Sequence, residues 1–233
     1  MIPLRDANPT RRTPVVTLAL IAGCFAVFAV ELSVEASGGE AALAELFGTW
    51  GAVPSRVSAA LDGSGDAGAA ATGVLASLFL HGGWLHLLGN MLFLWIFGNN
   101  IEDRLGRTRF LVFYLLGGVA AALTQVWIDP TSDVPLVGAS GAIAATLGAY
   151  IVIYPRARIL TLVFIGFFYQ LVEVPALIVL GFWFLLQLID GVASLGAASA
   201  QGGVAFFAHI GGFVAGGLVG FMVRTTGRRF GTA

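Results

Sequence analysis

Several apolar stretches in this chain approach bilayer length, and this restricts its possible folds more than any other feature. About 20 consecutive apolar residues carry an α-helix across a bilayer. Candidate spans fall at 15–34, 84–101, 109–128, 138–154, 175–189 and 204–223. Asp129 and Pro130 end the third span, and Pro155 ends the fourth. The apolar run 159–189 is too long for one simple span. Glu173 and Pro175 divide it, so its aromatic first part is expected as an interfacial loop. Charged residues make up only 11% of the chain, against roughly 25% in a soluble domain. The fold expected is therefore all-α, a polytopic membrane protein with six transmembrane helices in one domain.

The boundaries follow. Residues 1–14 form an N-terminal tail, 15–223 the helical domain, and 224–233 a C-terminal tail. Residues 35–72 form a first loop, in which the apolar patch 47–53 is expected in the membrane interface as short amphipathic helices. The first span is long and lacks a cleavage-like ending, so it reads as a retained anchor. One cysteine, Cys24, rules out an internal disulfide and fits a small packing role. A net charge of −1 suggests no nucleic-acid partner.

Arginine sets the expected orientation, because the chain has no lysine. Arg5, Arg11 and Arg12 precede the first span. Arg104, Arg107 and Arg109 lie between the second and third, Arg156 and Arg158 between the fourth and fifth, and Arg224, Arg228 and Arg229 after the sixth. With six spans these all fall on one side, and only Arg56 falls on the other. The positive-inside rule makes the arginine-rich side, with both termini, cytoplasmic. The membrane expected is a bacterial-type plasma membrane.

Polar groups at membrane depth are costly and default to a functional reading. Four of them reach one level. His86 and Asn90 come early in the second span, Ser140 opens the fourth, and His209 is early in the sixth. At 1.5 Å per residue each lies roughly 5–10 Å below the outer surface. A helix from Ser140 to Tyr154 is only about 22 Å long, against a hydrocarbon core of about 30 Å, so it should start inside the membrane. Its free N–H groups and positive dipole end suit a developing oxyanion. Taken alone, Ser140 reads more readily as a helix N-cap.

His209 is the candidate general base for Ser140. Ala208, Gly212, Gly216 and Gly220 recur every four residues on its helix, and Gly141, Ala145 and Gly148 supply a matching face on the fourth span. Such small-residue faces let helices approach closely. No acid is placed as a third member, which predicts a Ser–His dyad. His86 and Asn90, four residues apart, share a helix face and can both donate hydrogen bonds. They read either as oxyanion donors or as interhelical packing contacts. His81 is expected to be structural or interfacial. No metal motif or cysteine cluster is present, so neither a zinc site nor a cofactor is expected.

Three strings carry a family resemblance. His81-Gly-Gly-Trp-Leu-His86-Leu-Leu-Gly-Asn90-Met, Gly138-Ala-Ser140-Gly141 and Ala208-His209-Ile-Gly-Gly212, with Glu102-Asp-Arg104 and the six-helix plan, resemble the rhomboid intramembrane serine proteases. The resemblance implies a rhomboid-like bundle that hydrolyses peptide bonds in or near the transmembrane segments of substrate proteins. It implies Ser140 as nucleophile, His209 as base and then acid, and His86, Asn90 and the Ser140 N–H around the oxyanion. Gly138 then allows the tight loop, while Gly212 and Gly216 hold the sixth span against the fourth. Glu102 and Arg104 are implied to be structural.

One position departs from the pattern. Family members often place an aromatic ring four residues after the serine, stacked on the histidine, and this chain has Ala144 there. A ring from the second or fifth span is the expected substitute, or else the imidazole is held less tightly. Gln125 reads either as a guide for water or as an interhelical contact. The fifth span and the first loop are candidate gates, because neither carries the polar core. A transporter predicts inverted repeats or membrane carboxylates, and neither is seen. A catalytically weak relative that binds membrane-protein clients is the remaining alternative. Expected partners are transmembrane protein substrates and the lipid bilayer, with oligomeric state left open.

Overall fold

The computed structural model describes residues 2–165, 168–194 and 205–226. A short strand, β1 (Ile2–Asp6), precedes α1 (Val15–Trp50). The helix runs 36 residues, well past the expected end at 34, and is interrupted at Gly39, whose φ of 69° and ψ of −169° are not helical. Residues 35–50 are rich in Ala and Glu, strong helix formers that extend the span into the first loop. The patch 47–53 therefore does not form separate interfacial helices. Its first half ends α1, while Ala52 and Val53 are buried, and Ala52 bridges to Leu136. Two short helices follow, α2 (Pro54–Leu61) and α3 (Ala67–Ser77). Pro54 opens the first, and the Asp66 side chain accepts from Gly68 N and Ala69 N to cap the second.

The second span is built in three joined pieces. These are α4 (Trp84–Phe93), a π-helical turn (Leu94–Gly98) and α5 (Asn99–Leu105). Gly98 lies against Thr17 of α1, where a Cβ would crowd the threonine side chain. Further on, Glu102 caps α1. Its carboxylate accepts from Val16 N at 3.0 Å, and from Thr17 N and Thr17 Oγ1 at 2.8 Å each. A negative group at a helix N-terminus is favoured by the dipole and satisfies free N–H groups.

Next come α6 (Arg107–Ile128) and α7 (Ser140–Ile153). Residues 141–150 of α7 are all buried, so this short helix is the axis of the bundle. β2 (Arg158–Ile165) and β3 (Phe168–Pro175) then form an antiparallel hairpin, joined by β1 in the order β1-β2-β3. This sheet occupies the segment that the sequence reads as an interfacial loop. Ile159, Thr161, Val163, Tyr169 and Val172 favour extended backbone, and pairing satisfies their peptide groups. Finally, α8 (Ala176–Ser194) and α9 (Phe206–Thr225) complete the bundle.

Among the described residues four helices are long and apolar enough to cross a membrane, namely α1, α6, α8 and α9. Leu177, Ile178, Phe182, Leu185 and Ile189 of α8 are exposed, as side chains solvated by lipid would be. The protein is an all-α polytopic membrane protein with a small accessory sheet. The last expected element, the tail 224–233, lies outside the described residues beyond Thr226.

Candidate active site

The site is assembled where α7 begins. The loop before it is pinned at two points: Leu136 pairs with Ala52, and Gly138 N donates to Ser77 O at 2.8 Å. Gly138 has φ 125°, a conformation that favours glycine. The chain then turns into α7 with Ser140 as its first residue. On α9, the packing that brings His209 near is made by glycine. A Cβ on Gly212 would collide with the Gly141 carbonyl, and one on Gly216 with the Ala145 carbonyl. Gly211 lies equally close to Thr124 of α6.

The two predicted partners meet. His209 Nε2 lies 2.8 Å from Ser140 Oγ, within hydrogen-bond reach. His209 is buried, and Ser140 is half-buried. Ala139 is the N-cap of α7 and Ser140 its first helical residue, and the Ser140 hydroxyl is engaged with the imidazole.

Two further side chains reach His209, both from α8. Gln187 Oε1 lies 2.7 Å from His209 Nδ1. The Trp183 ring sits 5.9 Å from the imidazole, centroid to centroid, inclined at 36°. Of the alternatives left open at Ala144, Trp183 supplies a ring near His209 from the fifth span. Gln187 was missed, because only acids were considered for a third group. The signal was present, since Gln187 is a lone amide within an apolar span. These two residues also change the reading of the fifth span, which does contribute to the polar core.

His86 and Asn90 project from α4 toward the turn before Ser140. A Cβ on Gly138 would lie 2.7 Å from His86 Nε2 and 3.6 Å from Asn90 Nδ2. His86 Nδ1 accepts from Gly82 N at 3.3 Å, which leaves the proton of a neutral ring on Nε2, the atom facing the turn. Asn90 Nδ2 is a buried donor with no protein partner among the described residues. Two donors thus face the start of α7. His81 is buried behind them: its backbone N donates to Glu31 Oε1 at 3.0 Å, and its ring meets the His86 ring edge-on at 5.2 Å. That position makes it structural rather than interfacial. Gln125 Oε1 is buried without a protein partner among the described residues.

Comparison with known proteins agrees with this architecture. Residues 69–226 match the Rhomboid domain family. Rhomboid protein 1, mitochondrial, of Saccharomyces cerevisiae is 30% identical over 154 residues, 64% of this chain and 41% of that protein. Rhomboid protease GluP of Bacillus subtilis is 35% identical over 123 residues, 53% of this chain and 23% of that protein. RHOMBOID-like protein 5 of Arabidopsis thaliana is 36% identical over 76 residues, 33% of this chain and 25% of that protein. The chain spans less than half the length of each of these relatives. It belongs to the rhomboid family.

Proposed function

We propose that the chain is an intramembrane serine protease using a Ser140–His209 pair. The observation that carries this reading is the 2.8 Å contact between Ser140 Oγ and His209 Nε2. His209 takes the hydroxyl proton as Oγ attacks the substrate carbonyl. The resulting oxyanion accepts from His86 Nε2–H, Asn90 Nδ2–H and the free backbone N–H at the start of α7. His209 then gives the proton to the leaving amine, which departs as the peptide bond breaks. Water attacks the acyl-enzyme by the same base catalysis and frees the serine.

The substrates we propose are transmembrane segments of other membrane proteins. A helix hides its peptide bonds in internal hydrogen bonds, so segments weakened by Gly or Pro near the outer end are cut more readily. The site faces the extracytoplasmic side of a plasma membrane, with both termini cytoplasmic and 15–223 as the protease domain. The end of the molecule opposite Ser140 supports that orientation. Asn100 Nδ2 donates to Asp6 Oδ2 at 2.6 Å and Arg224 to Val152 O at 3.2 Å, which gathers β1, α5, α7 and α9, the elements that carry Arg5, Arg104 and Arg224, at one end.

The test uses detergent-purified protein and a tagged single-span membrane protein. Cleavage that is lost in Ser140→Ala and in His209→Ala supports the reading. Retention of the partner without a cut identifies a client-binding relative instead.

A further inference from the structure

We infer that Gln187 is the positioning residue for His209, holding the imidazole Nδ1–H so that the Nε2 lone pair faces Ser140. This rests on the proposed Ser140–His209 chemistry and supplies the third group that the sequence lacks among its acids. The direction of the amide is the first support. Gln187 Nε2 donates to Trp183 O at 3.4 Å, which fixes the amide oxygen as the end facing the ring. That oxygen lies 2.7 Å from His209 Nδ1 and can only accept. Nδ1 must therefore carry the proton, and a neutral imidazole then offers its lone pair at Nε2. Nε2 is the atom 2.8 Å from Ser140 Oγ.

Burial is the second support. An amide in an apolar span is costly unless its hydrogen bonds are made. Gln187 is 9% exposed, and both ends of its amide are engaged, one of them by the catalytic base. The third is a ring contact. Trp183, one turn earlier on α8, lies against His209 and is backed by Phe213 of α9 at 6.1 Å. One helix thus holds the imidazole by a hydrogen bond at its edge and a tilted ring contact. An outward displacement of α8 would release both together.

Gln187 adds no charge, so it fixes tautomer and ring orientation and stabilises an imidazolium less than a carboxylate in its place would. The experiment compares wild type, Q187L and Q187E by cleavage kinetics of a tagged single-span substrate, by ¹⁵N-histidine NMR and by thermal unfolding in detergent. Wild type should show His209 as the Nδ1–H tautomer. Q187L should lose at least about tenfold in kcat, part of the 10²–10⁴ that a positioned base supplies, with KM unchanged. Its NMR signal should become a mixture of tautomers. Q187E should recover most of kcat, because a carboxylate accepts the same N–H. It should also move the acid limb of the pH profile upward, since a neighbouring negative charge favours imidazolium. His86 of α4, a titratable group that faces the turn before Ser140, is common to all three proteins.

Wild-type kcat together with an unchanged tautomer in Q187L overturns the assignment. If Q187L lowers the thermal midpoint, Q187M keeps the side-chain length and carries the same comparison. A wild type that cuts nothing while its tautomer still depends on Gln187 would end the protease reading and leave the positioning role standing. An unchanged tautomer in Q187L removes the positioning role whatever the cleavage result.

Discussion

Tyr150, at the far end of the buried stretch of α7 from Ser140, donates its hydroxyl proton to Asp6 Oδ2 at 2.9 Å across 144 residues of sequence. The contact docks the first strand onto the bundle, and Asn100 Nδ2 adds a second hydrogen bond to the same oxygen at 2.6 Å. Burial raises the Asp6 carboxyl above its ordinary 3.8, an effect that outweighs the hydrogen bonds from Tyr150, Asn8 and Asn100. A carboxyl raised on folding stabilises the fold below its unfolded value. That contribution is lost as pH rises through the folded value. Asp6→Asn, a mimic of the protonated acid, should therefore be at least as stable as wild type at pH 7. The two should converge near pH 4, close to the ordinary carboxylate value. Thermal unfolding in detergent at both pH values checks this, and a clearly weaker Asp6→Asn at pH 7 would refute it.

Glu102 is the N-terminal cap of α1, supplied from another helix 85 residues away. Its charge-assisted bonds to Val16 N and Thr17 N predict that Glu102→Gln costs about 1–2 kcal/mol. Thr17→Ala should cost about 1 kcal/mol, the net worth of its own hydroxyl bond. Because the two share that bond, the double mutant should cost less than the sum of the singles. Strict additivity in a thermal-unfolding cycle would show that the cap is not coupled in this way.

How far the sequence disclosed this arrangement differs by element. Ser140, His209, His86 and Asn90 were legible because spacing and depth bring them to one level from three helices. The glycines at 141, 212 and 216 were legible because a four-residue repeat of small side chains has few uses other than close packing. The sheet was not legible. The run 159–172 is apolar without clear alternation, and its pairing with residues 2–6 depends on a contact between distant parts of the chain. Nor was the reach of α1 to Trp50, since the span was ended at 34, where the continuous apolar run gives way to Glu, Ser and Gly. Gln187 was overlooked for a chemical reason. The third group was sought among acids, although a neutral amide can also hold an Nδ1–H.

Gly216 and Gly217 are neighbours that should respond in opposite ways. A Cβ on Gly216 would enter the Ala145 backbone, whereas one on Gly217 meets nothing nearer than Gly148 O at 3.8 Å. Gly216→Val should lower stability by about 3 kcal/mol, at the upper end of ordinary overpacking, because backbone cannot move aside as a side chain can. It should also separate His209 from Ser140 and abolish cleavage. Gly217→Ala should retain both stability and activity. Thermal midpoints and cleavage of the tagged substrate read the two effects, and equal behaviour of the variants would contradict the packing described for α7 and α9.

The last prediction concerns the two donors from α4. Asn90 Nδ2 is buried and has no protein partner among the described residues, so removing it leaves no acceptor stranded in the resting protein. Asn90→Ala should therefore leave the thermal midpoint nearly unchanged. If the amide meets the developing oxyanion, kcat should fall by about 10²–10³ with little change in KM. Gly138→Ala should act on the neighbouring donor. Its Cβ would lie 2.7 Å from His86 Nε2, and its φ of 125° is strained for any side chain. Cleavage should fall in that variant while a serine-directed covalent probe still labels Ser140, because the Ser140–His209 contact does not pass through His86. Loss of labelling along with cleavage would instead mean that the turn before Ser140 had moved.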